Sequence, residues 1–127
     1  MARTWPNRIL VVEDEDDSRE ALRVILEEQG QKVEDVENGL KALELLAERT
    51  YDLIFTDLRM PGMGGEDLFR RIALDWPNLV PRIVFVSSMK PSPAFQEQYG
   101  RMSVPLLKKP VSPHSIQQIL AAVAAGA

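Results

Sequence analysis

Two rhythms of hydrophobic residues alternate along the chain. Short, mostly apolar runs occur at Ile9-Leu10-Val11-Val12, Leu53-Ile54-Phe55-Thr56, Ile83-Val84-Phe85-Val86 and Val104-Pro105-Leu106-Leu107. Strands buried on both faces read as continuous runs of this kind, whereas strands with one wet face alternate. Lys32 to Val36 is a weaker strand candidate. Between the runs, apolar residues recur at helical spacing. Leu22, Ile25 and Leu26 mark a first helix that Gly30 ends. Leu40, Leu43, Leu46 and Ala47 mark a second, and Leu68, Phe69, Ile72 and Trp76 a third that Pro77 stops. Ile116, Ile119, Leu120 and Val123 mark the last, with Ser112 as N-cap and Pro113 in the first helical position. Over Lys90 to Arg101, Phe95 and Tyr99 fit a short helix whose start Pro91 and Pro93 delay. Strands alternating with helices predict a doubly wound α/β domain with a parallel sheet.

Composition narrows the picture. The 127 residues suit one domain, expected over 1–127 with a core over about 7–125 and no output domain. There are no cysteines, so disulfides and thiolate metal sites are excluded, and a cytoplasmic setting is compatible. A net charge of -4 argues against direct nucleic-acid binding. No apolar stretch approaches the length that spans a membrane, and none is expected to bind one.

The chemistry lies where the runs end. The first runs into Glu13-Asp14, the second into Asp57, the third into Ser87-Ser88 and the fourth into Lys108-Lys109-Pro110. In open α/β sheets, ligands bind beyond the carboxyl ends of the strands. Each of these residues has a plainer reading alone: a solvated loop acid, a helix-opening carboxylate, a turn serine, a surface lysine. Together they place three carboxylates, a hydroxyl and an ammonium at one edge. Clustered carboxylates repel and raise one another's pKa values unless a cation offsets them. Oxygen ligands suit Mg²⁺. No glycine loop ending in Lys-Ser/Thr is present to cradle a nucleotide, so a carboxylate that accepts a phosphoryl group fits better.

The segments ILVVEDE (Ile9 to Glu15), DLIFTDLRMPGMGG (Asp52 to Gly65), FVSS (Phe85 to Ser88) and Lys109-Pro110 together resemble the receiver domains of two-component response regulators. The resemblance covers nearly the whole chain, in order and spacing. It implies a flavodoxin-like, five-stranded parallel sheet of strand order 2-1-3-4-5. It further implies that Asp57 accepts phosphate from a phosphohistidine of a sensor histidine kinase or phosphotransfer protein. By the same resemblance, Asp14 ligates Mg²⁺ (or Mn²⁺), with Glu13 acting mostly through water, and Asp57 and the Arg59 backbone carbonyl complete the protein ligands. Ser87, the Ser88 amide and Lys109 would hold the phosphoryl oxygens. Arg59 and Met89 would flank the phosphoryl group and tune its hydrolysis. A cis Lys109-Pro110 peptide is implied, and Pro61, Gly62 and Gly65 fit the turn after the phosphoacceptor. A downstream protein, unnamed by the sequence, would read the phosphorylated form.

Two features depart from the family pattern. Leu106 stands where many receivers carry a switch Tyr or Phe, and it reads instead as a packed strand residue. The stretch Tyr99 to Leu107 lacks the acidic pattern used in one family dimer, so that dimer is not expected. His114, the single histidine, reads as a solvated helix-start residue rather than a phosphorelay group. Trp5 and Trp76 read as packing or edge residues. A haloacid-dehalogenase-type phosphatase is the competing enzyme reading, but the acid which that family places two residues after its nucleophile is Arg59 here. A degenerate receiver used only for docking is a third reading, opposed by Glu13, Asp14, Asp57, Ser87 and Lys109.

Overall fold

A computed structural model describes residues 8–102 and 104–125, so Trp5 lies outside the described residues. Five parallel strands, β1 (Arg8–Val12), β2 (Lys32–Val36), β3 (Leu53–Thr56), β4 (Ile83–Ser87) and β5 (Leu106–Lys108), form one sheet in the order β2-β1-β3-β4-β5. Four α-helices lie in the connections, α1 (Asp16–Glu28), α2 (Gly39–Glu48), α3 (Gly65–Asp75) and α4 (Pro93–Tyr99), and α5 (Pro113–Ala125) follows β5. This is the doubly wound, flavodoxin-like arrangement the sequence predicts.

The continuous runs are explained by two cores. Ile9 and Val11 face one side, with Leu53, Phe55, Val84 and Val86, against Leu22 and Leu26 of α1 and Ile116 and Leu120 of α5. Leu10 and Val12 face the other, with Ile54 and Phe85, against α2, α3 and α4. Successive strand residues point to opposite faces, so a sheet covered on both sides needs apolar residues at every position.

Local signals account for most boundaries. After α1, Gly30 adopts φ 85°, and Gly30 N–H and Gln31 N–H bond the carbonyls of Glu27 and Leu26 at 3.0 and 3.2 Å. That is the paired C-terminal motif in which glycine takes the left-handed position. Ser112 caps α5 as expected, its hydroxyl accepting the Ser115 amide at 3.1 Å.

Four expectations need correction. The fifth strand is shifted to Leu106–Lys108, because Pro105 has no N–H to enter the ladder; its carbonyl still accepts the Phe85 amide at 2.9 Å. Helix α3 ends at Asp75, so Trp76 caps it rather than extending it, and its ring packs partly buried against the core. Pro77 does not only stop α3: it opens a 3-10 segment, Pro77–Arg82, that seats Val80 in the core. In α2 the buried face is Gly39, Ala42 and Leu46, which leaves Leu40 62% exposed and Ala47 at the surface.

One contact fixes α3 to the sheet. A Cβ added at Gly65 would lie 2.1 Å from the Asp57 carbonyl oxygen and 3.0 Å from the Leu58 Cα. Only a hydrogen fits there. Gly65→Ala is therefore expected to destabilise the fold by about 1–3 kcal/mol or more, as overpacking does. Gly100→Ala, where a Cβ meets nothing within 4 Å, should be neutral. Urea midpoints of the two variants check this pair. A second expectation concerns Tyr51, a core residue whose hydroxyl donates to Glu34 at 3.2 Å. Burial and the Glu34 carboxylate push its phenol up to about 12. The fold favours the neutral phenol, so this contribution is complete below the ordinary value of 10.0 and is lost as pH rises from there through about 12. Tyr51→Phe should flatten the alkaline loss of stability, and spectrophotometric titration should show one tyrosine ionising late.

Candidate functional site

Backbone bonds carry the ladder one step past the strands and so fix the residues at the sheet edge. Glu13, just after β1, donates its N–H to the Val36 carbonyl of β2 at 3.1 Å. Asp57, just after β3, donates to Val12 of β1 at 3.1 Å, and Lys109, just after β5, donates to Ser87 of β4 at 3.2 Å. The four strand ends named by the sequence thus meet at one edge.

The side chains converge there. Glu13 is 4% exposed, Asp57 8% and Ser87 2%, while Asp14 lies at the surface. The Lys109 ammonium pairs with Asp57 Oδ2 at 2.8 Å and also with Glu13 Oε1. Asp57 Oδ1 accepts the Arg59 N–H at 3.2 Å, and Glu13 Oε2 accepts the Glu15 N–H at 3.2 Å. Burial pushes the Glu13 carboxyl up from its ordinary value; the Lys109 hydrogen bond and the Glu15 amide oppose this, and the Asp57 charge adds to it. Burial works to lower the Lys109 pKa, but its hydrogen bonds to Asp57 and Glu13 outweigh that and hold it raised. Lys109 therefore stays an ammonium throughout the neutral range. The Lys109-Pro110 peptide is cis.

Glu13, Asp14 and Asp57 each offer one carboxylate oxygen, and these atoms lie within 4.8 Å of one another. An all-oxygen, anionic donor set with one member open to solvent fits a hard divalent cation such as Mg²⁺. The buried Ser87 hydroxyl accepts the Met89 N–H at 3.2 Å. Ser88, Met89 and Arg59 are exposed at the rim, and Gly62 takes φ 77° in the turn after Asp57. Leu106 pairs in register with Phe85 and packs partly buried against the α3 and α4 side, in keeping with a packed strand residue. His114 is exposed in the first turn of α5.

Several supporting residues escape the sequence reading. Arg19 of α1 donates to the Glu13 carbonyl at 2.9 Å, and the Thr56 hydroxyl donates to the Asp57 carbonyl at 3.0 Å. Gly64 approaches the Leu58 carbonyl as Gly65 approaches Asp57, with an added Cβ 2.7 Å away. The Gly64-Gly65 pair in DLRMPGMGG is the signal that this close packing leaves in the sequence.

Comparison with known proteins agrees with this geometry. The family model of the response regulator receiver domain matches residues 9–121. The transcriptional regulatory protein ResD of Bacillus subtilis (strain 168) is 42% identical over 72 residues, 57% of this chain and 30% of that protein. The response regulator receiver protein CpdR of Brucella abortus (strain 2308) is 40% identical over 80 residues, 63% of this chain and 65% of that protein. The chain thus spans less than two thirds of these relatives. Among solved structures, the signal receiver domain of a signal transduction histidine kinase from Syntrophus aciditrophicus superposes with a TM-score of 0.79 at 28% identity, covering 94% of this chain and 91% of that one. Nothing in the site or the comparisons favours the phosphatase reading. The chain belongs to the response regulator receiver domains of two-component systems.

Proposed function

We propose that Asp57 is the phosphoacceptor and that this chain catalyses its own phosphorylation from a phosphohistidine of a sensor histidine kinase or phosphotransfer protein. The observation that carries the proposal is the Lys109 ammonium seated on Asp57 Oδ2 beside Glu13 and Asp14. In the transfer, a carboxylate oxygen of Asp57 attacks phosphorus, the P–N bond breaks, and its electron pair returns to the donor imidazole. Lys109 meets the charge on the phosphoryl oxygens, the Ser87 hydroxyl donates to another, and the Ser88 amide to a third. Hydrolysis by water regenerates Asp57. Glu13, Asp14, Asp57 and the Arg59 backbone carbonyl would hold Mg²⁺ (or Mn²⁺), which supplies positive charge among the carboxylates and phosphoryl oxygens when bound.

The proposed output is a change in affinity for a downstream protein, because a phosphoryl group adds about -1.5 to -2 charges that neighbouring groups must answer. The reading includes a cytoplasmic setting and no direct contact with nucleic acid or membrane. The net charge of -4 supports the part that concerns nucleic acid. No helix among the described residues is long and apolar enough to cross a membrane.

Acetyl phosphate with Mg²⁺ should label the chain once, at Asp57, with loss of label in Asp57→Asn and after chelation; beryllofluoride should bind the same site. Turnover of many phosphate esters would favour a phosphatase instead, and neither labelling nor binding would favour a docking module. Arg59 and Met89 are exposed beside the site, and on this reading their bulk limits access of water. Arg59→Ala and Met89→Ala should each shorten the phosphorylated lifetime by roughly two- to tenfold, about 0.4–1.4 kcal/mol of barrier. Dephosphorylation rates equal to wild type would remove this role.

A further inference from the structure

The connection between β4 and α4 leaves Ser87, crosses the exposed residues Ser88, Met89 and Lys90, and enters α4 at its N-cap, Ser92. It is a short strap on the rim of the site, and it is tied at both ends. At one end, the Ser87 hydroxyl oxygen accepts the Met89 N–H at 3.2 Å. At the other, Ser92 donates its N–H to Glu66 Oε2 at 2.6 Å and its hydroxyl to Glu66 Oε1 at 2.7 Å. Ser92 still caps α4, accepting the Phe95 N–H at 3.2 Å. Both bonds to Glu66 end on a carboxylate, which makes them the stronger class of hydrogen bond.

The place of Glu66 is set by the phosphoacceptor itself. Glu66 follows Gly65, the residue whose missing side chain lets the start of α3 sit on the Asp57 and Leu58 backbone, and Gly65 N–H bonds the Leu58 carbonyl at 3.0 Å. A path of contacts and covalent links therefore runs from the Asp57 backbone to Gly65, to Glu66, to Ser92, along the strap to the Met89 N–H, and back to the Ser87 hydroxyl. It measures the strap against the residue that reacts. The Met89 amide occupies the acceptor side of Ser87, and the Ser87 O–H donates to no protein group among the described residues. Resting on the receiver reading above, we propose that Glu66 is a positioning residue for phosphoryl binding. It holds the β4–α4 strap so that the Ser87 hydroxyl and Ser88 amide stand ready for the phosphoryl oxygens. Groups fixed in advance contribute most, because they need no reorganisation when charge arrives.

Beryllofluoride affinity in saturating Mg²⁺ tests this, with Mg²⁺ affinity alone as the internal control. Glu66→Ala should weaken beryllofluoride by about three- to tenfold. Glu66→Gln, which keeps one acceptor oxygen, should fall between it and wild type. Asp67→Ala, which removes the adjacent exposed first-turn carboxylate, should match wild type. Mg²⁺ affinity should be unchanged throughout, since Glu66 is not among the clustered carboxylates. In Glu66→Ala, hydrogen exchange should quicken at the Met89 amide as well as at Ser92. Beryllofluoride affinity in Glu66→Ala equal to or tighter than wild type would overturn the proposal, as would unchanged exchange at Met89. If wild type itself binds no beryllofluoride, the receiver reading fails instead, and the Met89 exchange alone then judges the strap.

Discussion

Glu13 and Asp57 are nearly buried, carry like charge, and stand at the ends of adjacent strands; their own segments give each carboxylate only a neighbouring backbone N–H. Lys109, brought from the opposite side of β4, touches both. The arrangement depends on that ammonium. Two carboxylates removed from water cost several kcal/mol unless paired, and losing the partner of a buried charge costs up to roughly 3–5 kcal/mol. Lys109 also has a retained opening, since its side chain is 23% exposed against 5% and 10% for Glu13 and Asp57. In the proposed reaction it would serve as a counter-charge that a phosphoryl oxygen reaches without unfolding the edge. The same constraint explains why the sheet ladder runs on past the strands: a cation shared between two acids works only if all three backbones are held in register.

That register is maintained from below by packing. Two apolar layers clamp the sheet, so β1, β3 and β4 have no wet face on which to shift. A slip of one residue in β3 would turn Phe55 and Ile54 to opposite cores and carry Asp57 out of line with Lys109. The helix after Asp57 sits against its backbone through a glycine, which leaves that backbone no freedom to retreat. Stability and chemistry therefore draw on the same contacts around residues 57 to 65.

The strands and the composition of the site were legible because burial on both faces writes a continuous apolar run, and each run is followed at once by a polar residue. Helix ends at Gly30 and Ser112 were legible because their capping is local. The phase of α2 was not. Six apolar residues in ten admit more than one face, and the structure selects the one where Gly39 lets Met63 approach. The start of β5 was misplaced because Pro105 is counted as apolar but donates no hydrogen bond. The sharing of Lys109 by two acids was invisible for a different reason: its partners lie 96 and 52 residues away in sequence. The Glu66–Ser92 contact, 26 residues apart, joins two residues that each look like ordinary helix-opening polar groups.

Leu106 changes how the site is connected to the surface. The aromatic mass that many receivers carry on the fifth strand is gathered here on α4. The Phe69 ring meets Phe95 at 5.0 Å and Tyr99 at 4.8 Å, and Phe85 meets Phe95 at 5.4 Å. Arg70 lies 5.6 Å over the Phe95 ring and bonds Gln98 at 3.3 Å, tying α3 to α4 a second time beyond Glu66. A leucine beside Phe85 has no ring to swing. Phe95 and Tyr99, by contrast, are carried by α4, and each packs edge to face on Phe69 of α3. With the strap fastened to α3 at Ser92, a change at Ser87 meets a helix that is capped, stacked and bridged as one body. In this chain the contacts that join the site to its surroundings on this side thus run through α4, Phe85 and Leu106 and the Glu66 tie, rather than through one aromatic side chain on β5.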